Sequence, residues 1–113
     1  MDTEFTLTPT SRDGIAVLVL EGELDLITAP TLVTALAEHP RGQPIIVDLT
    51  QLTFIDSAGI HAILSRNTAG PTAVVRTPAS NIGRVLELVH AETVIPVYDD
   101  LVDAVRALSD SST

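Results

Sequence analysis

Apolar residues recur along this chain in two alternating periods. Phe5 and Leu7 alternate with Thr6 and Thr8, the mark of an edge or half-buried strand over residues 5–9. Residues 15–20 form a continuous apolar run, a second strand. The intervening Thr10-Ser11-Arg12-Asp13-Gly14 is turn chemistry, with Asp13-Gly14 as the hairpin signal. Leu32, Val33, Leu36 and Ala37 then fall on one face of a helix that Thr28 can cap and Pro30 can enter. Pro40 and Gly42 stop that helix. Residues 44–49 are a third strand, rich in β-branched residues. Ile60, Ile63 and Leu64 at i, i+3, i+4 predict a second helix from Ser57 to about Ser65, followed by a break over 67–71. Residues 72–77 read as a fourth strand. Ile82, Val85, Leu86 and Val89 give a third helix over 78–89, residues 94–98 a short fifth strand. A last helix, capped by Asp99 or Asp100, places Leu101, Val102, Val105 and Leu108 on one side.

The predicted order is β-β-α-β-α-β-α-β-α. A hairpin followed by strands alternating with helices predicts an α/β fold. Its sheet is mixed, one antiparallel pair followed by parallel strands joined by right-handed crossovers, with about five strands and four helices. With 113 residues and no repeat or linker, the expectation is one domain over 1–108 and a flexible tail over 109–113.

Composition then narrows the function classes. Fifteen acids against six bases, all six arginine, give a net charge of −9, which disfavours nucleic acid and anionic membranes as partners. A basic or neutral partner face suits it better. The absence of cysteine removes disulfide and thiolate chemistry. The longest apolar run is far too short for a membrane span, and the acidic N-terminus lacks the form of a signal peptide. The expectation is a cytoplasmic protein without membrane insertion.

Ligands of open α/β sheets sit at the carboxyl ends of strands. Two such loops carry acids here: Glu23 and Asp25 in one, Asp56 in the other. If strands two and three are neighbours, Asp25, Asp56 and Ser57 share one edge. Ser57 reads first as a helix cap. A phosphate on it would face unpaired helix amides, and would add about −1.5 to −2 charges beside Asp56. A nucleophilic role fits poorly: Ile55-Asp56-Ser57-Ala58-Gly59 lacks the first glycine of a hydrolase elbow, and only His61 lies near in sequence as a base. His39, His61 and His90 show no metal-ligand spacing, and the loop acids read as solvated groups rather than a cation site. No glycine-rich phosphate loop occurs, so no cofactor is expected.

Val47-Asp48-Leu49-x-x-Leu52-x-Phe54-Ile55-Asp56-Ser57-x-Gly59-Ile60 resembles the signature of the STAS domain, in particular of the bacterial anti-sigma factor antagonists. Gly22-Glu23-Leu24-Asp25-x-x-Thr28-Ala29 resembles the family's second motif. The resemblance implies a domain without catalytic activity that binds an anti-sigma factor acting also as a serine kinase. Binding releases the sigma factor. Phosphorylation, placed by the match at Ser57, ends binding, and a serine phosphatase restores it. Glu23, Asp25, Thr28, Asp56, Ser57, Ala58, Gly59 and His61 become the expected partner-contacting residues. Two departures stand out: residues 65–71 look short by about one helical turn (~4 residues), and His61 stands where members often carry a small residue. The same scaffold could instead serve a signalling complex or a lipid-transport ABC system.

Overall fold

The computed structural model describes residues 5–111. Strands β1 (Thr6–Arg12) and β2 (Ile15–Leu24) form the antiparallel hairpin. The turn is tighter than expected. Arg12 pairs with Ile15, and only Asp13 and Gly14 connect the strands, at φ 54° and 83°. Two left-handed residues match the right-handed twist of a hairpin, which is why Asp-Gly suits this place. β1 is an exposed edge strand carrying Pro9, a residue that no central strand accommodates.

The sheet order is β1-β2-β3-β4-β5, and every pair after the first is parallel. β3 (Ile45–Ile55), β4 (Thr72–Val75) and β5 (Val97–Tyr98) alternate with helices α1 (Ala29–Glu38), α2 (Ser57–Ser65), α3 (Asn81–Leu88) and α4 (Leu101–Ser111). Helices α1, α2 and α3 cover one face of the sheet, where Leu32, Leu36, Ile63, Ile82 and Leu86 pack on Leu18, Leu20, Val47 and Leu49. Helix α4 covers the other face through Ala104, Val105 and Leu108 on Val17, Ile46 and Val75. Right-handed crossovers that all run in one direction along the sheet put their helices on one side. β3, covered on both faces, is accordingly buried at Ile45, Ile46 and Val47 in succession.

Several boundaries depart from expectation. β2 and β3 run on to Leu24 and Ile55, well past the predicted ends at 20 and 49. Their extensions pair through two register shifts, and the Thr53 hydroxyl donates to the Gly22 carbonyl at 2.9 Å. Strand β5 is only two residues, because the Val94 and Ile95 amides donate back to the Ala91 carbonyl of a 3-10 turn over 91–93. The chain after α2 continues into a 3-10 turn, Arg66–Ala69, where a break was expected. Helix α4 runs through Ser111, so residues 109–111 of the expected tail are helical, while 112–113 lie outside the described residues. Val33, Val89 and Val102, assigned to buried faces, are about half exposed, and Val89 lies just past the end of α3.

Candidate functional site

The β2–α1 and β3–α2 loops emerge side by side because β2 and β3 are parallel neighbours paired to their last residues, Leu24 with Ile55. The β2–α1 loop is knotted internally. Asp25 Oδ1 accepts from the amides of Ile27 (2.9 Å) and Thr28 (3.0 Å). The Thr28 hydroxyl accepts from the Asp25 amide at 2.9 Å and donates to the Glu23 carbonyl at 2.8 Å. Backbone hydrogen bonds, that from Thr28 foremost, hold the Asp25 carboxyl below its usual range against an opposing effect of burial. Thr28 occupies the cap position of α1, but its hydroxyl serves this loop and not the helix amides.

Asp56, rather than Ser57, caps α2. Its Oδ1 accepts from the Gly59 amide at 3.1 Å, and its Oδ2 accepts from the Leu26 amide at 3.2 Å. The Asp56 amide donates to the Leu24 carbonyl at 3.2 Å. One aspartate therefore starts a helix and fastens a loop thirty residues upstream. Ser57 is the first helical residue, exposed, and among the described residues its hydroxyl has no hydrogen-bond partner. The Ser57 and Ala58 amides have no acceptor inside the helix, as the first turn of any helix requires.

The eight expected contact residues divide on this geometry. Ser57 and His61 are exposed; Glu23, Asp25, Thr28, Asp56 and Ala58 are half-buried. Gly59 is buried: a Cβ there would come within 2.7 Å of Leu24 Cγ and 2.8 Å of the Leu24 carbonyl oxygen, so this position sets how closely α2 approaches β2. The His61 ring meets Ser65 Oγ at 3.4 Å, one turn along α2. That contact gives Ser57 no base. The carboxylate oxygens of Asp25 and Asp56 accept from backbone amides, and among the described residues no cluster of acids and histidines is arranged to hold a metal.

Sequence reasoning passed over two residues in this loop. Leu26 and Ile27 are 72% and 81% exposed, and the Leu26 amide is tied to Asp56. Phe54, near the end of β3, is about half exposed. The signal was available: two apolar residues stand between Asp25 and Thr28, inside a turn that gives them no interior to enter.

A family model described as the STAS domain matches residues 7–104. The chain belongs to the STAS domain family. The anti-sigma-F factor antagonist RsfB of Mycobacterium tuberculosis is 39% identical over 57 residues, 49% of this chain and 47% of the relative. The chain thus matches about half the length of these curated relatives. Among solved structures, an anti-sigma factor antagonist from Mycobacterium paratuberculosis superposes with a TM-score of 0.83 at 25% identity, over 94% of this chain and 95% of that one. The anti-sigma factor antagonist SpoIIAA, in its unphosphorylated form, gives a TM-score of 0.57 at 24% identity, over 91% and 98%, a likeness of fold. Among the described residues no helix is long and apolar enough to cross a membrane.

Proposed function

We propose that this STAS domain is an anti-sigma factor antagonist, without catalytic activity of its own, whose partner is an anti-sigma factor with serine kinase activity. The observation that carries the reading is the exposed Ser57 hydroxyl at the first turn of α2, flanked by Asp56 and by the exposed pair Leu26–Ile27. The apolar pair supplies desolvation energy for a contact, and the knotted loop holds it at little further cost in entropy. Asp25, Asp56 and Glu23 surround it, and no arginine lies in either loop, so the complementary face is neutral or basic.

The switch is phosphorylation of Ser57. Two helix amides stand ready for phosphate oxygens, so the modified helix remains folded. The added charge, about −1.5 to −2, falls next to Asp56 on an already acidic edge and opposes the desolvation that binding requires. A serine phosphatase reverses it. The proposed setting is the cytoplasm, where kinase, phosphatase and sigma factor meet.

Incubation with the cognate kinase and ATP, followed by phosphopeptide mapping, should place phosphate on Ser57. Ser57→Ala should remain bound to the kinase and Ser57→Asp should bind poorly. A phosphate-free Ser57, or equal binding by the two variants, overturns the reading.

A further inference from the structure

Helices α1 and α2 diverge into a groove of about 380 Å³, within the range of small-molecule clefts (roughly 300–1,000 Å³). Val33, Leu36 and Ala37 of α1 face Ala62 of α2 and Ala69 beyond it, so the walls are mainly apolar. Two cations, Arg41 and Arg66, line it as well, together with His61 and Ser65. Arg66 is 4% exposed. Its Nη2 donates to the Gln43 carbonyl at 2.8 Å and its Nη1 to Thr72 Oγ1 at 3.4 Å, while Nε has no partner among the described residues. These bonds tie together the segments that lead into β3 and β4, but both acceptors are neutral.

Neither arginine forms an ion pair among the described residues, in a chain with fifteen acids. A buried cation ordinarily has a carboxylate beside it. Arg66 instead has Arg41 near enough that its charge adds to burial in lowering the Arg66 pKa. Arg76 shows the usual solution elsewhere in this molecule, with Glu87 at 2.7 Å and Asp99 at 3.2 Å. An anion placed in the groove would supply the missing charge, and the apolar walls select one with a hydrocarbon part.

We propose that the α1–α2 groove is a binding site for a small amphipathic carboxylate, its chain on Val33, Leu36, Ala37 and Ala62 and its head toward Arg41 and Arg66. A guanidinium matches a carboxylate in two parallel hydrogen bonds, and Arg41, exposed at the groove's rim, is free of the structural bonds that occupy Arg66. The proposal does not rest on the sigma-factor reading, although His61, one of the expected partner-contacting residues, also lines the groove.

The test is a titration of the isotopically labelled chain, followed by amide NMR, with sodium octanoate, 1-octanol and sodium phosphate in parallel. Octanoate should give saturable shifts centred on Ala37, Ala62 and Ala69, octanol at least tenfold weaker ones, and phosphate none there. Arg41→Gln should weaken octanoate about tenfold, the effect of one charge-assisted hydrogen bond, and leave octanol unchanged. Ala37→Phe, which fills the groove from an exposed position, should abolish the octanoate shifts while the remaining spectrum stays that of the folded chain. Equal binding of octanol and octanoate, phosphate binding as strong as octanoate, shifts centred elsewhere, or no shifts up to the solubility of octanol each overturn the proposal.

Discussion

Helices α2 and α3 start in the same way and to different effect. Each is capped by a side-chain oxygen that accepts from a glycine amide at the third helical position: Asp56 from Gly59 at 3.1 Å, Ser80 from Gly83 at 3.0 Å. In each, a Cβ on that glycine would come within 2.8 Å of a carbonyl oxygen of the neighbouring backbone, Leu24 or Thr77. The difference lies in the second contact of the cap. Ser80 Oγ donates to the Thr77 carbonyl at 2.6 Å, three residues away, and the junction is closed on itself. Asp56 turns its second oxygen to Leu26, thirty residues away, and so holds an exposed apolar pair against the start of α2. The same local motif makes a helix start at one junction and a composed surface at the other.

The largest effect should come from the glycines. At Gly59 an added Cβ meets Leu24 at both its carbonyl oxygen and its side chain, at 2.8 and 2.7 Å; at Gly83 the next atom after the carbonyl is Ser80 Oγ at 3.3 Å. Gly59→Ala should cost about 2–3 kcal/mol, the upper part of the range for overpacking a well-packed site, and Gly83→Ala about 1 kcal/mol. Urea unfolding at unchanged m-value measures both. Equal losses would mean that α2 yields as readily as α3.

Next comes the surface that only the first junction composes. Leu26→Ala and Ile27→Ala should each weaken binding to the proposed anti-sigma factor partner at least tenfold, about 1.4 kcal/mol. Both should leave stability within about 0.5 kcal/mol, since the side chains are exposed. Leu88→Ala is the control. Leu88 is 78% exposed, but at the far end of α3, and its truncation should leave binding unchanged. Loss of binding in all three variants would show that exposed apolar area in general, and not this edge, makes the contact.

The caps themselves rank third. Asp56→Ala and Ser80→Ala should each cost about 1 kcal/mol. The informative variant is Asp56→Ser. A serine keeps an acceptor for Gly59 but has one oxygen in place of two, so the tie to Leu26 goes. Hydrogen exchange at the Leu26 amide should accelerate in Asp56→Ser, with no corresponding change in the β4–α3 loop on Ser80→Ala.

These expectations show how far the sequence was legible. Element order, the antiparallel start and the parallel remainder follow from apolar periodicity, because the buried runs at 15–20 and 44–49 are strands covered on both sides. The strand extensions were not legible. Glu21, Glu23, Thr50, Gln51 and Thr53 extend them with polar residues that read as loop, and only pairing of one extension with the other makes them strand. The neighbourhood of Asp25, Asp56 and Ser57 was legible once β2 and β3 were taken as neighbours. The identity of the cap was not, since aspartate and serine are equally good in that position and a one-residue shift separates the two assignments. Leu26 and Ile27 were invisible to a periodicity argument because a two-residue apolar pair has no period.

A smaller effect concerns the acid that knots the β2–α1 loop. Hydrogen bonds from the Thr28 and Ile27 amides lower the Asp25 pKa from its unperturbed 3.8. A folded-state value below the unfolded one means the contribution is present above the unfolded pKa and declines as pH falls through the folded one. Acid unfolding of Asp25→Asn should therefore lack a decline that the parent chain shows below about pH 4. The two stability profiles should converge at the acid end, and parallel profiles would remove Asp25 from the acid response.

The smallest expected effect on stability is the one that most sharply separates the two helix starts. Ser57 occupies the first helical position of α2, with Asp56 already supplying the cap, so its hydroxyl contributes no hydrogen bond to the fold among the described residues. Alanine is the better helix former by propensity. Ser57→Ala should change unfolding free energy by less than about 0.5 kcal/mol, whereas Ser80→Ala, which removes a cap, loses about 1 kcal/mol. The inequality is a direct reading of which oxygen starts each helix. A loss at Ser57 as large as that at Ser80 would return the serine to a structural role and remove the physical reason for treating its hydroxyl as available for modification.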